Sequence, residues 1–356
     1  MPKVSVCLKV QKINGEKTIN LANRLHLTDK SLEIQRDADS LHVPIAREPE
    51  ENETALLKVK VPELQFEEHV FPDKKRPEKT LSELLEDQLP PHLLASLPKA
   101  LDVVGDIAII EIPPELEPHQ CAVGEAIVKT HRNIHTVLAK AGAVTGTYRL
   151  RDFNVIAGEH RTTTIHKEYG CSYYVDVAKA YFSPRLSNEH WRVASLVQNG
   201  ETVVDLFAGV GPFAVPIAKN HKDAQVYAID INADAVEFLK KNAQLNRVEN
   251  RIHPILGDAR QVVNEKLSGI ADRVIMNLPE KASEFIAVAC KAVKLSGGIV
   301  HFYGFIKAPD SLETLKQRFA DAVDMAGRKV RAFSCAKTVR ATAPYEWQAV
   351  LDAEIA

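Results

Sequence analysis

The chain carries little excess charge, few cysteines and no long apolar run. Its 356 residues have a formal net charge of −2. No global basic field is available to hold nucleic acid, so any such binding must come from local basic patches. The five cysteines, Cys7, Cys121, Cys171, Cys290 and Cys335, are scattered without a Cys-x-x-Cys pair. That usage fits a reducing cytoplasm and predicts no zinc site. The opening MPKVSVCLKV lacks the apolar core of a secretory signal. No apolar run is long enough to span a bilayer. Internal repeats and low-complexity tracts are also absent. What is present is a chain that is 45% hydrophobic, and its length exceeds the usual single domain, so two or three domains are expected.

The most informative stretch is VVDLFAGVGPF, residues 203–213. Val203 and Val204 suit a buried parallel strand, which reads as an unbroken apolar run. Asp205 closes it. Ala208, Gly209 and Gly211 are small enough for backbone to approach a ligand closely. A Gly-x-Gly-x-x-Gly pattern is missing, and an acid precedes the glycines. That combination suits a cationic ligand, such as the amino-acid end of S-adenosylmethionine, better than a phosphate.

Three further segments follow in order: YAIDIN (227–232), GDAR (257–260) and VIMNLPE (274–280). Asp230 ends a strand about 20 residues after the glycines, where an acid accepts from ribose hydroxyls. Asp258 ends a third strand, placed to accept from an adenine amino group. Any one of these acids alone reads as a solvated strand end or a helix cap. Three at successive strand ends, one beside a glycine turn, point to S-adenosylmethionine. After the fourth strand, the Asn277 amide can donate and accept along a base edge. Pro279 stiffens that turn. Leu278 and Glu280 replace the second proline and the aromatic of the Asn-Pro-Pro-aromatic pattern, which argues against methylation of an exocyclic amine.

The fold expected is α/β: a Rossmann-like, doubly wound S-adenosylmethionine-dependent methyltransferase domain with two smaller N-terminal α/β modules. Residues 1–62 form the first module, with strands at LEIQ, LHVPI and ALLKVKV. Residues 63–79, ending in PDKKRPEK, form a charged linker. Residues 80–175 form the middle module and 176–356 the catalytic domain. At the entrance of that domain, Tyr181-Phe182-Ser183-Pro184-Arg185 precedes a helix carrying Glu189 in its first turn. Arg185 is placed to approach the cofactor carboxylate. Glu189 alone would read as an acid complementing the helix dipole.

Taken together, YRLRDFNVIAGEHRTTTIHKEYG, DVAKAYFSPRLSNE, VVDLFAGVGPF, YAIDIN and VIMNLPE resemble the archaeal and eukaryotic tRNA (guanine-37-N1)-methyltransferases. The likeness extends over nearly the whole chain and is strongest to the archaeal three-domain form. It implies methylation of guanosine N1 beside the anticodon, which guards the reading frame. Guanine N1 carries a proton at neutral pH, so a base is needed, and the family's base matches Glu189. A cation should stabilise the charge that develops on O6. Arg149 is favoured for that role and Arg151, two residues along the same strand, is the alternative. Asn277 would hold the guanine edge, Pro279 would pack on the ring and Tyr181 would flank it. Arg185, Phe207, Asp230, Ile231 and Asp258 match cofactor contacts, with Asp205, Gly209 and Asn277 completing that set. No metal is expected.

The resemblance also implies that the first module touches the tRNA elbow, with Lys3, Lys9, Lys12, Lys17 and Arg24 as its positive charge. Lys129, His131, Arg132, Arg161 and Lys167 form a second RNA-facing cluster beside Arg149 and Arg151. Glu280 and His190 stand where relatives carry lysine and arginine, which puts two phosphate contacts in question. The expected protein is a cytoplasmic monomer. Competing readings are a bifunctional wyosine-pathway methyltransferase also acting on C7 of the tricyclic precursor, a non-catalytic RNA-binding protein, and a protein or small-molecule methyltransferase.

Overall fold

Strand Thr202–Asp205 is the third of a seven-stranded sheet and the central one of its five leading strands, where the order of the chain reverses. The neighbouring strands run Ile252–Leu256, Gln225–Asp230, Thr202–Asp205, Arg273–Met276, Gly298–Lys307, Glu346–Ile355 and Val330–Ala343. The first five are parallel; Glu346–Ile355 runs antiparallel to its two neighbours, so Val330–Ala343 runs in the direction of the first five. In the central ladder Val203 stands opposite both Val226 and Arg273. Reversal at a central strand opens a crevice beyond the strands' C-terminal ends, the usual ligand position in such sheets. The computed structural model describes residues 3–37, 39–61, 63–74, 80–146 and 150–356.

Alternation along each strand divides the core between the two faces of the sheet. Val203, Phe213, Leu239 and Tyr303 pack on one face; Val204, Ile229, Met276, Phe302 and Phe319 pack on the other. Burial of each such side chain stabilises the fold by about 1.5–3 kcal/mol. The first face also packs against Val104, Ile107, Leu138, Tyr173 and Val175. These come from a four-stranded sheet (Asp102–Val104, Ile107–Ile110, Thr136–Thr145, Leu150–Gly158) and from a hairpin (Thr163–Glu168, Cys171–Asp176). One apolar core therefore joins these elements to the seven-stranded sheet.

Two compact units emerge: residues 1–94 with 129–131, and residues 95–128 with 132–356. Within the first unit, an antiparallel sheet runs Gln35–Arg36, Ser40–Pro44, Lys3–Gln11, Gln65–Phe71. This differs from the expected organisation in two places. ALLKVKV is not a strand, because Glu51–Lys60 is a helix that opens with a reciprocal cap between Glu50 and Glu53. Leu57 faces the core, while Val59, part of the apparent alternation, is 75% exposed. The stretch 63–79 is not a plain linker either. Its Gln65–Phe71 segment pairs with Lys3–Lys9 and buries Phe71, so the sheet extends past residue 62; residues 75–79 of that stretch lie outside the described residues. Among the described residues, no helix is long and apolar enough to cross a membrane.

Candidate active site

The glycine turn after Asp205 is held by the next strand end. Gly209 has φ +54°, in the left-handed region that favours glycine. Its N–H donates to Asp230 Oδ2 at 2.7 Å, and Asn232 N donates to Oδ1 at 2.9 Å. Ile231 N–H is a third backbone donor to this carboxylate, which retains acceptor capacity for a ligand. Burial pushes the Asp230 carboxyl up, opposed by these backbone donors.

A cavity of about 230 Å³ opens here, lined by Phe207, Gly209, Asp230, Ile231, Asp258 and Asn277 among others. Asp258 caps the short helix Ala259–Val262, accepting from Arg260 N at 2.7 Å. Phe207 meets Phe285 edge-on at 4.8 Å between ring centres, and the Arg260 guanidinium lies 3.8 Å from the Phe285 ring centre. The cavity thus combines carboxylates with aromatic walls, a donor set that fits a nucleoside bearing a cationic side arm.

Asp205 and Arg185 do not line this cavity. Asp205 is wholly buried beneath the turn; its Oδ1 accepts from Phe207 N at 3.2 Å. Its Oδ2 has no hydrogen-bond partner, and burial pushes the carboxyl up to about 7. A carboxyl so placed shapes the turn instead of meeting a ligand. Arg185 reaches the other way, its Nε 2.5 Å from Asp102 Oδ1.

Arg185 lines a second cleft, of about 380 Å³, with Lys140, Arg151, Phe153 and Arg340. Tyr181, Phe182 and Ser183 line both spaces. From the cleft, Arg340 Nε donates to Gln348 Oε1 at 2.9 Å, and Gln348 Nε2 donates to Asn277 Oδ1 at 3.4 Å. Pro279 lines neither space, and Arg149 lies outside the described residues. Arg161, expected to face RNA, is held by both oxygens of Asp106 and by Glu159.

Glu189 is buried on helix Ser187–Leu196 within a charge network that the sequence did not reveal. Lys337 Nζ stands 2.7 Å from its Oε1 and Arg192 Nε 2.7 Å from its Oε2. Tyr303 Oη donates to Oε2 at 3.1 Å. Burial would raise the carboxyl, but Arg192 and Lys337 outweigh it and hold Glu189 below the usual carboxylate range. Arg192 continues to Asp352, and Asp352 to His301 at 2.6 Å. Arg273 donates to His301 Nε2 at 2.9 Å. Since arginine only donates, His301 is neutral with its proton on Nδ1; burial depresses its basicity in agreement. Only Arg192, three residues after Glu189 on the same helix, carried a local sequence signal. His190 is also buried, 2.7 Å from Glu168. Glu280 lines the first cavity.

Three family models match successive segments. They describe a tRNA methyltransferase 5 N-terminal domain (residues 7–53), a TYW2 N-terminal domain (81–162) and a TRM5/TYW2 methyltransferase domain (164–331). The chain is similar to the tRNA (guanine(37)-N(1))-methyltransferase Trm5b of Pyrococcus abyssi, with 36% identity over 98% of each chain. It is 35% identical to the tRNA 4-demethylwyosine(37)-methyltransferase Taw21 of Saccharolobus solfataricus, over 77% of this chain and 98% of that one. A solved complex of aTrm5 and tRNALeu superposes with a TM-score of 0.66 and 36% identity, covering 99% of this chain and 100% of the other.

Proposed function

Because this chain belongs to the TRM5/TYW2 methyltransferase family, we propose that it transfers the methyl group of S-adenosylmethionine to N1 of guanosine 37 in tRNA. The observation that carries this reading is the match to Trm5b over 98% of both chains, against 77% of this chain for the wyosine-pathway relative.

In this reading Asp230 accepts from the ribose hydroxyls and Asp258 from the adenine amino group. Phe207 and Ile231 cover the adenine faces. When bound, the cofactor's sulfonium supplies an activated methyl group. Asn277, oriented by Gln348, holds the guanine edge, and Tyr181 flanks the ring between the two spaces. Arg185 and Arg151 belong to the tRNA side, with Arg149 assigned to O6. Glu189 takes the N1 proton, and Lys337, 44% exposed, is the partner that yields to the incoming base. Removal of that proton by Glu189 would free the N1 electron pair to take up the methyl group that the bound cofactor would supply. The target leaves the anticodon stack to reach this site. The protein works as a cytoplasmic monomer.

The test is transfer of labelled methyl to two tRNA transcripts with guanosine or adenosine at position 37, followed by nucleoside analysis. N1-methylguanosine from the first transcript alone is expected. Absence of product from both, with methylation of wyosine-precursor tRNA instead, would replace this reading with the wyosine-pathway one.

A further inference from the structure

We propose that Cys7, His42 and Glu67 form a binding site for one divalent transition-metal ion, of the zinc class, on the N-terminal sheet. The proposal is independent of the methyltransferase reading.

Alternation along strand Lys3–Gln11 sends Leu8 and Val10 into the module's main core and Cys7 and Lys9 to the opposite face. Glu67 is the cross-strand partner of Cys7 on one side. His42 is the partner of Lys9 on the other, two residues along from Cys7. Three adjacent strands therefore deliver a thiol, an imidazole and a carboxylate to one spot. The donors lie 35 and 25 residues apart in sequence, a spacing that no short motif marks.

The donor separations bracket those around a tetrahedral ion. Cys7 Sγ is 3.9 Å from His42 Nδ1, and Nδ1 is 3.0 Å from Glu67 Oε1. All three donor atoms lie within 4.8 Å of one another. Tetrahedral zinc, with bonds of about 2.0–2.3 Å, sets its donors roughly 3.3–3.6 Å apart.

The other imidazole nitrogen supplies a second observation. His42 Nε2 is 2.6 Å from Asp37 Oδ2, the carboxylate–histidine pairing that orients a metal-ligating ring. With its proton on Nε2, the ring presents a lone pair at Nδ1. That lone pair faces a carboxylate oxygen, which also only accepts. Two acceptors at this distance need a positive charge between them, either a proton or a metal ion, and the adjacent thiol is a soft ligand that favours zinc over magnesium or calcium.

The surroundings fit the same role. Cys7 is fully buried and the His42 side chain is 2% exposed. His69 stacks on His42 with ring centres 4.2 Å apart, which fixes the ring plane. Lys9 occupies Glu67 Oε2 at 3.1 Å and leaves Oε1 for the ion. Glu67, one third exposed, forms the solvent side, and water completes the fourth position. An ion here would cross-link three strands of the sheet.

The test uses full-length, metal-stripped protein titrated with cobalt(II) alone. One equivalent should bind, with a thiolate-to-cobalt charge-transfer band and the intense visible bands of four-coordinate cobalt; zinc should bleach both. Cys7→Ser should remove the charge-transfer band. Asp37→Asn, at a 58% exposed side chain, should keep the band and weaken binding about 10–100-fold. That variant decides the matter if Cys7→Ser does not fold. Absence of stoichiometric cobalt binding would assign the charge to a proton shared by His42 and Glu67 and overturn the proposal. So would a band that persists in Cys7→Ser, or unchanged affinity in Asp37→Asn.

Discussion

Lys337 holds Glu189 across the end of the catalytic sheet, Nζ to Oε1 at 2.7 Å. The contact keeps the carboxylate ionised, which a proton acceptor requires, and weakens it as a base. Replacing Lys337 by methionine leaves Arg192 as the remaining cation that depresses Glu189 and removes the other, so the Glu189 carboxyl rises. The acid limb of the pH profile for single-turnover methyl transfer then moves toward neutral pH. A limb that stays in place would separate Lys337 from the reacting carboxylate.

Glu189→Gln preserves shape and removes the proposed proton acceptor. Methyl transfer should fall by about 10²–10⁴-fold, with the dissociation constant for S-adenosylmethionine within about twofold of the parent. Calorimetry and a single-turnover assay on one preparation separate the two effects. Retained turnover would take the base role from Glu189.

Asp230→Ala deletes the carboxylate that both anchors Gly209 and faces the cavity. Losing charge-assisted hydrogen bonds of about 1.5–3 kcal/mol should weaken S-adenosylmethionine binding by roughly 10–150-fold. Calorimetric titration measures this directly, and an unchanged constant would place the ribose elsewhere.

Asp205 yields a stability prediction. Its carboxyl sits at about 7 in the fold against an ordinary 3.8. Between these values the native state holds the proton and the unfolded chain does not, so stability falls as pH rises from about 4 to about 7. Asp205→Asn has no proton to lose. Its stability relative to the parent should therefore increase with pH by roughly 1 kcal/mol per unit across that window. Melting temperatures of both proteins from pH 4.5 to 7.5 check this; a constant difference would contradict the buried, protonated state. Cofactor affinity should suffer far less than in Asp230→Ala.

The cofactor cavity was legible because its signals are local. Apolar runs mark the parallel strands, and each acid lies within a few residues of the strand end it occupies. The partners of Glu189 were not legible. Lys337 and Asp352 lie on the antiparallel pair Val330–Ala343 and Glu346–Ile355. There a charged residue reads as the solvated side of an alternating strand, and Arg192 meets Asp352 across 160 positions of chain. Asp205 misled for a related reason: strand position fixes where an acid stands but not which side of the turn its carboxyl takes. In the first unit, Val59 and Val61 imitated a strand because the helix cap at Glu50 and Glu53 carries more weight than their spacing.

The antiparallel pair has a consequence for the life of the chain on the ribosome. The side chains lining the cofactor cavity end at Phe285, whereas Lys337, Gln348 and Asp352 are synthesised later. Of the groups that touch Glu189, only Arg192 precedes the last wall residue in the chain; Lys337, and Gln348 beside Asn277, follow it. On the ribosome, therefore, the walls of the cavity emerge before the antiparallel hairpin that completes the contacts of Glu189 and Asn277.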